Sequence, residues 1–573
     1  MTMPHSLHRA VHPASHTATR REFLTTASLA AAGTLLGARR LAAETVQWLP
    51  IHSQLPANAF VSSTITASDL SALASRAVDA ATHAGAGYAD VRVSERNTLN
   101  PDFGLGEILC RMSTSASYGV RAMVDGVWGF AYGRVLTPDA VAQCAQDATA
   151  AAQLAARSAK GSPRSETAWV PAPAVTGEWR TPVAIDPFAV PLQQQNEVLT
   201  ALFMTMARVP TVNGSVKMTW TRETRVIATS TGSLVTQYLA SAEPEIEAQI
   251  MNGSNWVRLQ VPGLHGAATG FELLCGAALL ERAKIAAEEA NELAQLPMGI
   301  LDVGRYPVVF DGTTMGSTLL HLVGPALELD RVLGDEVEGA GTSLWTIDRL
   351  GTPVVSPLMT VTGTRALPSI TAVQWDDEGT VPQVHTVIQD GRLMDYHTDG
   401  RTVSALQKWY QQHDRPLRSN GCASASEAHR AVMVEAPHLT MTPGTAQQSL
   451  NDLCAGIKHG VLVRDANFLQ TDQQLASGSL SAGGAPIQGG RGYVHGGELF
   501  EVAQGKPVRK ILYNTLQFNT LPFLKGLAAV GDSSTVHSQV FVVEKGYPWQ
   551  AARHSASAPA ALFKEVNVIT TAH

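Results

Sequence analysis

"SYGVRAMVDGVWGFAYGRV", residues 117–135, reads as two β-rich runs on either side of Asp125-Gly126. Asp-Gly between such runs predicts a tight hairpin, because both central turn positions need positive φ and these two residue types tolerate it. The neighbours decide what the hairpin belongs to. Residues 67–86 repeat apolar side chains at helical spacing, with Ser68 and Asp69 as caps and Gly85 and Gly87 as the stop. "YADVRVSE", residues 88–95, then alternates as a strand does, and an Ala-rich run predicts a long helix over 138–158. Helix, antiparallel strands and helix make an α+β module.

A Pro-rich polar stretch over 161–191 reads as a linker or surface excursion. A second α+β unit follows: a helix over 194–209, strands over 215–221 and 225–229, a turn at Thr231-Gly232, a strand over 243–251 and a helix over 270–296. From Gly304 the pattern changes to strands and glycine turns, starting with the buried strand "RYPVVFDG" and continuing through runs at 381–389, 430–440, 460–463 and 541–544. The expected class is α+β, with N-terminal α+β modules built on an antiparallel sheet and a mostly β C-terminal domain. The domain boundaries read from these shifts are 60–160, 175–298 and 300–573. The glycine cluster over 478–497 reads as loop or hairpin, since no helical pattern follows it as a phosphate-binding loop requires.

Residues 1–45 read as an export signal: Arg20-Arg21, then Phe23-Leu24 and an apolar Ala-rich run ending in small residues at Ala42 and Ala43. This is the pattern of a twin-arginine (Tat) signal, and it predicts a periplasmic or otherwise extracytoplasmic protein. The run is shorter than the ~20 residues a membrane span needs, so no span is expected after signal removal. With 42 Lys and Arg against 49 Asp and Glu, and no basic run after residue 40, nothing suggests nucleic acid. Five cysteines with no CxxC spacing argue against a disulfide framework. No GxSxG nucleophile elbow occurs.

Several segments together resemble the TldD/PmbA family, the modulator-of-gyrase type of metallopeptidase: "YADVRV" and "YGVRAMVDGVWGFAYG", then "GTSLWTIDRLGTPVVSPLMTV" (341–361), "WDDEGTVPQVHTVIQDGRL" (375–393) and "APHLTMTPG" (436–444). The resemblance implies an HExxxH zinc segment in the TldD branch, completed by a cysteine near the C-terminus. Neutral imidazoles and a thiolate would hold the ion, leaving one position for water, and the Glu would take that water's proton.

Laid without a gap on "GSTLLHLVGPALELD" (316–330), the family segment agrees at Gly316, Leu319, Val323, Gly324, Leu327, Glu328 and Asp330. In that register Leu320 and Pro325 stand at the two ligand positions and His321 at the position of the catalytic Glu. Pro325 also predicts a kink or helix end, because it lacks an N–H and disfavours helix at Gly324. The last cysteine is Cys454, so the C-terminal ligand is missing as well. The expectation is therefore no catalytic residue and no cofactor. Candidates for lining a substrate cleft are His321, Glu328, Asp330 and the acidic cluster Asp376, Asp377 and Glu378.

His385, His397, His413, His438 and His459 have no pair spacing and could form a site only through the fold. The resemblance implies a homodimer, or a heterodimer with a family paralogue, and a peptide ligand. Two alternatives stay open: an active zinc metallopeptidase using ligands outside the motif, and a periplasmic peptide-binding or structural protein.

Overall fold

The computed structural model describes residues 65–570 apart from 105–106, 159–167, 254, 337–340, 467, 472–486, 489–490 and 547–548. The expected signal and most of the 478–497 glycine cluster fall outside the described residues.

The first helix, α1 (Ala67–His83), begins with a capping box. Its cap is Thr66, two residues before the Ser68 that the sequence suggested, and Asp69 is the third residue of the helix. The Thr66 hydroxyl accepts the Asp69 N–H at 3.1 Å, and the Asp69 carboxylate accepts the Thr66 N–H at 2.8 Å. Three strands follow, β1 (Tyr88–Gly104), β2 (Glu107–Val124) and β3 (Val127–Gly133), then helix α2 (Pro138–Ser158). The β2–β3 turn is the hairpin read from Asp125-Gly126, with φ of 51° and 76°. Beyond it lie β4 (Thr176–Arg180), α3 (Leu192–Met206), β5 (Val212–Thr229), β6 (Leu234–Asn252), β7 (Asn255–Gln260) and α4 (Ala277–Ala294).

Among the described residues these seven strands form one sheet in the order β3-β2-β1-β5-β6-β4, with β7 also on β6. β2 with β3, β1 with β5, β5 with β6 and β6 with β7 pair antiparallel, whereas the exposed β4, in the segment expected to be linker, runs parallel to β6. Helices α1 and α2 cover one end of the sheet, where Leu70, Ala74, Ala77, Val141 and Ala145 meet Val91, Val93 and Val120. Helices α3 and α4 close a second core around Trp220, Phe271, Leu199 and Leu259. The helix expected over 270–296 is interrupted: a short 3-10 turn ends at Leu274, and Gly276, at φ 121°, redirects the chain before α4.

The C-terminal region is strand-rich. Among the described residues, strand β8 (Gly304–Phe310) lies inside a sheet of ten strands, and helix α5 (Gly312–Thr318) follows it directly. Later strands are β9 (Val361–Thr364), β10 (His385–Gln389), β11 (His438–Met441), β12 (His459–Arg464), β13 (His537–Lys545), β14 (Gln550–Ala558) and β15 (Ala561–Thr570). β8 runs parallel to β12 and antiparallel to β15, and Val308, Val309 and Phe310 are fully buried. A six-stranded sheet orders Arg392–Leu393, β10, β9, β11, β14 and β13. Helix α5 packs on β13 and β14. No helix of the described residues is long and apolar enough to cross a membrane.

Candidate functional site

The segment that resembles a zinc motif starts at Asp311, which caps α5 by accepting the Thr314 N–H at 2.8 Å. The helix then loosens into a π turn over Leu319–Val323, with the Gly324 N–H bonding to the Leu319 carbonyl at 2.8 Å, and tightens into a 3-10 turn over Pro325–Leu327. Pro325 has no N–H to continue the α-helical ladder, so the break falls where the sequence places the proline.

Leu320 is 1% exposed and belongs to the apolar core with Leu319, Leu322 and Val323. His321 is buried, with its ring edge-to-face on Phe541 at 4.3 Å between centroids. Pro325 is buried too. A zinc ion needs at least three protein donors. An aliphatic side chain, one imidazole and a proline do not supply them, so the residues present at these positions do not fit the ion. The retained positions are those that pack: a Cβ on Gly316 would sit 3.3 Å from Gln539, and one on Gly324 3.1 Å from Leu439.

Glu328 and Asp330, at the end of the segment, lie in a buried charge network. The Lys545 ammonium on β13 donates to Asp330 Oδ1 and Oδ2 at 2.8 and 2.9 Å and to the Val434 carbonyl, and it lies 3.0 Å from Glu328 Oε2. Arg331 Nη2 reaches the same Glu328 oxygen at 3.2 Å. The remaining lone pairs are taken by backbone: Ala436 N–H donates to Glu328 and Val434 N–H to Asp330, each at 3.1 Å. Two carboxylates and two cations balance, and all four side chains are at most 3% exposed. Burial opposes ionisation of both carboxyls: Lys545 and Arg331 hold Glu328 below the ordinary range, whereas burial, with Glu328 beside it, raises Asp330 in spite of Lys545; the carboxylates in turn raise the Lys545 ammonium against its own burial.

Asp376, Asp377 and Glu378 are placed against the N-terminal sheet. Arg121 of β2 donates to Glu378 at 2.9 Å and forks onto Asp90 of β1, and Arg225 of β5 donates to Asp377 at 2.8 Å. Asp376 accepts three backbone N–H groups, from Glu378, Thr380 and Ala423. Burial pushes the carboxyls of Asp376 and Glu378 up, to about 7 and about 8.

None of Leu320, His321 and Pro325 lines either of two adjoining polar cavities, of about 560 and 400 Å³, which share Gln260, Leu264 and His265. The larger is walled by Glu289, Asp311, Arg464, Asp465 and His537 among others. Burial, with Asp311 beside it, pushes the Asp465 carboxyl up to about 7, and burial lowers His265 and His537 so that both imidazoles are neutral at neutral pH. The cavity thus offers proton donors, proton acceptors and one guanidinium. Its residues come from short segments scattered between residues 260 and 560 and carry no spacing a sequence could show. Among the described residues one group of three metal-competent donors occurs, His385, His397 and Cys422.

Two family profiles match the chain: PmbA/TldA metallopeptidase domain 1 over residues 89–152 and PmbA/TldA metallopeptidase C-terminal domain over residues 303–570. Three solved structures share the fold. A proposed modulator of DNA gyrase from Thermotoga maritima superposes with a TM-score of 0.64 at 16% identity, covering 87% of this chain and 99% of that one. TldE from Thermococcus kodakarensis gives 0.62 at 15%, covering 87% and 99%. A proposed modulator of DNA gyrase from Bacteroides thetaiotaomicron gives 0.61 at 15%, covering 87% and 98%. No curated protein sequence matches. At these identities the structural likeness establishes the fold.

Proposed function

Because the chain belongs to the PmbA/TldD metallopeptidase family, we propose that it is a member that keeps the scaffold without the zinc-dependent hydrolysis. It acts outside the cytoplasm as a non-hydrolytic, peptide-binding subunit, paired with a second copy or with a paralogue carrying an intact motif. The observation that carries this reading is the fate of the motif positions: Leu320 is packed in the core, Pro325 breaks the helix, and His321 lies on Phe541. The two neighbouring carboxylates are already neutralised by Lys545 and Arg331, so neither is left as a ligand or a base. Peptide binding is assigned to the polar cavity beside α5, where the imidazoles of His265 and His537 and the Asp465 carboxyl can meet a peptide backbone, Arg464 being held by Glu289 and Asp311.

The test is a peptidase assay on the purified mature chain with and without added zinc, alongside metal content of the wild type and His321→Ala. The expected result is no hydrolysis above background and the same metal content in both proteins. Hydrolysis lost together with bound zinc in His321→Ala would overturn the reading. Recovery of a paralogue, or of self-association, from the native periplasm supports the subunit role; recovery of neither counts against it. Replacing Arg20 and Arg21 together by lysine should keep the protein in the cytoplasm if the Tat signal directs it.

A further inference from the structure

We propose that His385, His397 and Cys422 form a binding site for one soft transition-metal ion, Zn2+ or Cu+, separate from the degenerate motif. Their donor atoms all lie within 4.8 Å of one another, and the residues are 5%, 0% and 1% exposed. Two imidazoles and a thiolate are the donor set that such ions select.

The hydrogen bonds around the two rings leave a place for the ion. His385 Nδ1 lies 3.1 Å from the Gln383 carbonyl, an acceptor only, so Nδ1 carries the proton and Nε2 presents its lone pair. That Nε2 lies 3.0 Å from Nδ1 of His397, whose own Nε2 is buried with no hydrogen-bond partner. If His397 is protonated on Nδ1, a bare acceptor is buried at Nε2. If it is protonated on Nε2, an unmet donor is buried there and two lone pairs face each other across 3.0 Å. The second tautomer is the one that suits an ion: a cation on the face shared with Cys422 takes both facing lone pairs, from His385 Nε2 and His397 Nδ1. The carbonyl behind His385 is the usual second support of a metal-bound imidazole. Gly363 leaves room for that ring: a Cβ there would sit 3.0 Å from Cε1 and 3.2 Å from Nε2.

Coordination uses both imidazoles as neutral donors and Cys422 as a thiolate. Binding therefore forms one metal–sulfur bond and releases one proton, from Cys422 Sγ to solvent. The nearby Asp395 is spent on Arg415, Asn420 and Tyr410, so no free base stands by for hydrolysis.

The experiment uses the full chain, stripped of metal and titrated with Co2+ as a spectroscopic probe of the zinc site. A sulfur-to-cobalt charge-transfer band should saturate at one equivalent, disappear on added Zn2+ and be absent in Cys422→Ser. No band, or a band that Cys422→Ser retains, overturns the proposal. Should that variant fail to fold, X-ray absorption of the loaded wild type decides: one sulfur and two imidazole nitrogens support the site, and any other donor count overturns it.

Discussion

Lys545 stands between two buried carboxylates, and its loss would leave both Glu328 and Asp330 with too little positive charge. Replacing one partner of a buried ion pair removes the compensation and keeps the desolvation. Lys545→Met should therefore lower stability at pH 7 by about 3–5 kcal/mol, read by urea unfolding. The pH dependence has a definite sign. The folded-state pKa of Glu328 is depressed, so its contribution is present above the ordinary carboxyl range and is lost as pH falls through the depressed value. The gap between wild type and variant should accordingly narrow in acid. A loss below about 1 kcal/mol, the range of exposed pairs, would show that the four side chains do not act as a closed network.

At the level of elements, α5 is held against β14 and the turn before β13 by close backbone approach. A Cβ on Gly312 would lie 2.4 Å from the Thr535 carbonyl oxygen and 2.8 Å from that of Ala558, and neither can swing away as a side-chain tip could. Gly312→Ala should destabilise by about 1–3 kcal/mol despite the better helix propensity of alanine; an unchanged thermal midpoint would mean that α5 is not pressed so tightly. Elements with a local signal were legible: the Asp125-Gly126 hairpin, the Ala-rich α2 and the break at Pro325. Strand β5 was read as two strands, with Arg222 and Glu223 falling in the gap between them. In the fold they are buried and paired, Glu223 with both Arg96 and Arg225, and the strand runs through. The His385, His397 and Cys422 cluster was invisible for a related reason. Strand β10, the turn after it and the chain at 422 come together only through hydrogen bonds such as Gln383 N–H to the Asn420 carbonyl and Cys422 N–H to the Thr398 carbonyl.

Across the whole molecule, the acidic turn at 376–378 is where the C-terminal strands meet the N-terminal sheet, and its titration should be felt as global stability. Asp376 and Glu378 have folded-state pKa values pushed up by burial to about 7 and about 8. For a carboxyl raised in this way the folded state binds the extra proton, so its contribution is complete below the unfolded value of about 4 and is lost as pH rises through the folded value. Buried histidines act oppositely: burial lowers His438 and His554 to about 4, and their contribution is lost as pH falls below the ordinary imidazole range. Above pH ~7 the histidines are neutral whether folded or not, which leaves the carboxyls to set the slope. Stability should therefore fall between about pH 7 and 8 and level off above the folded values, and Glu378→Gln, which cannot ionise, should show a shallower fall even though it loses an acceptor for Arg121 or Gly400. Urea midpoints across that interval decide the matter. Parallel slopes in the two proteins would mean that Glu378 is already ionised at pH 7 and that Arg121 outweighs its burial.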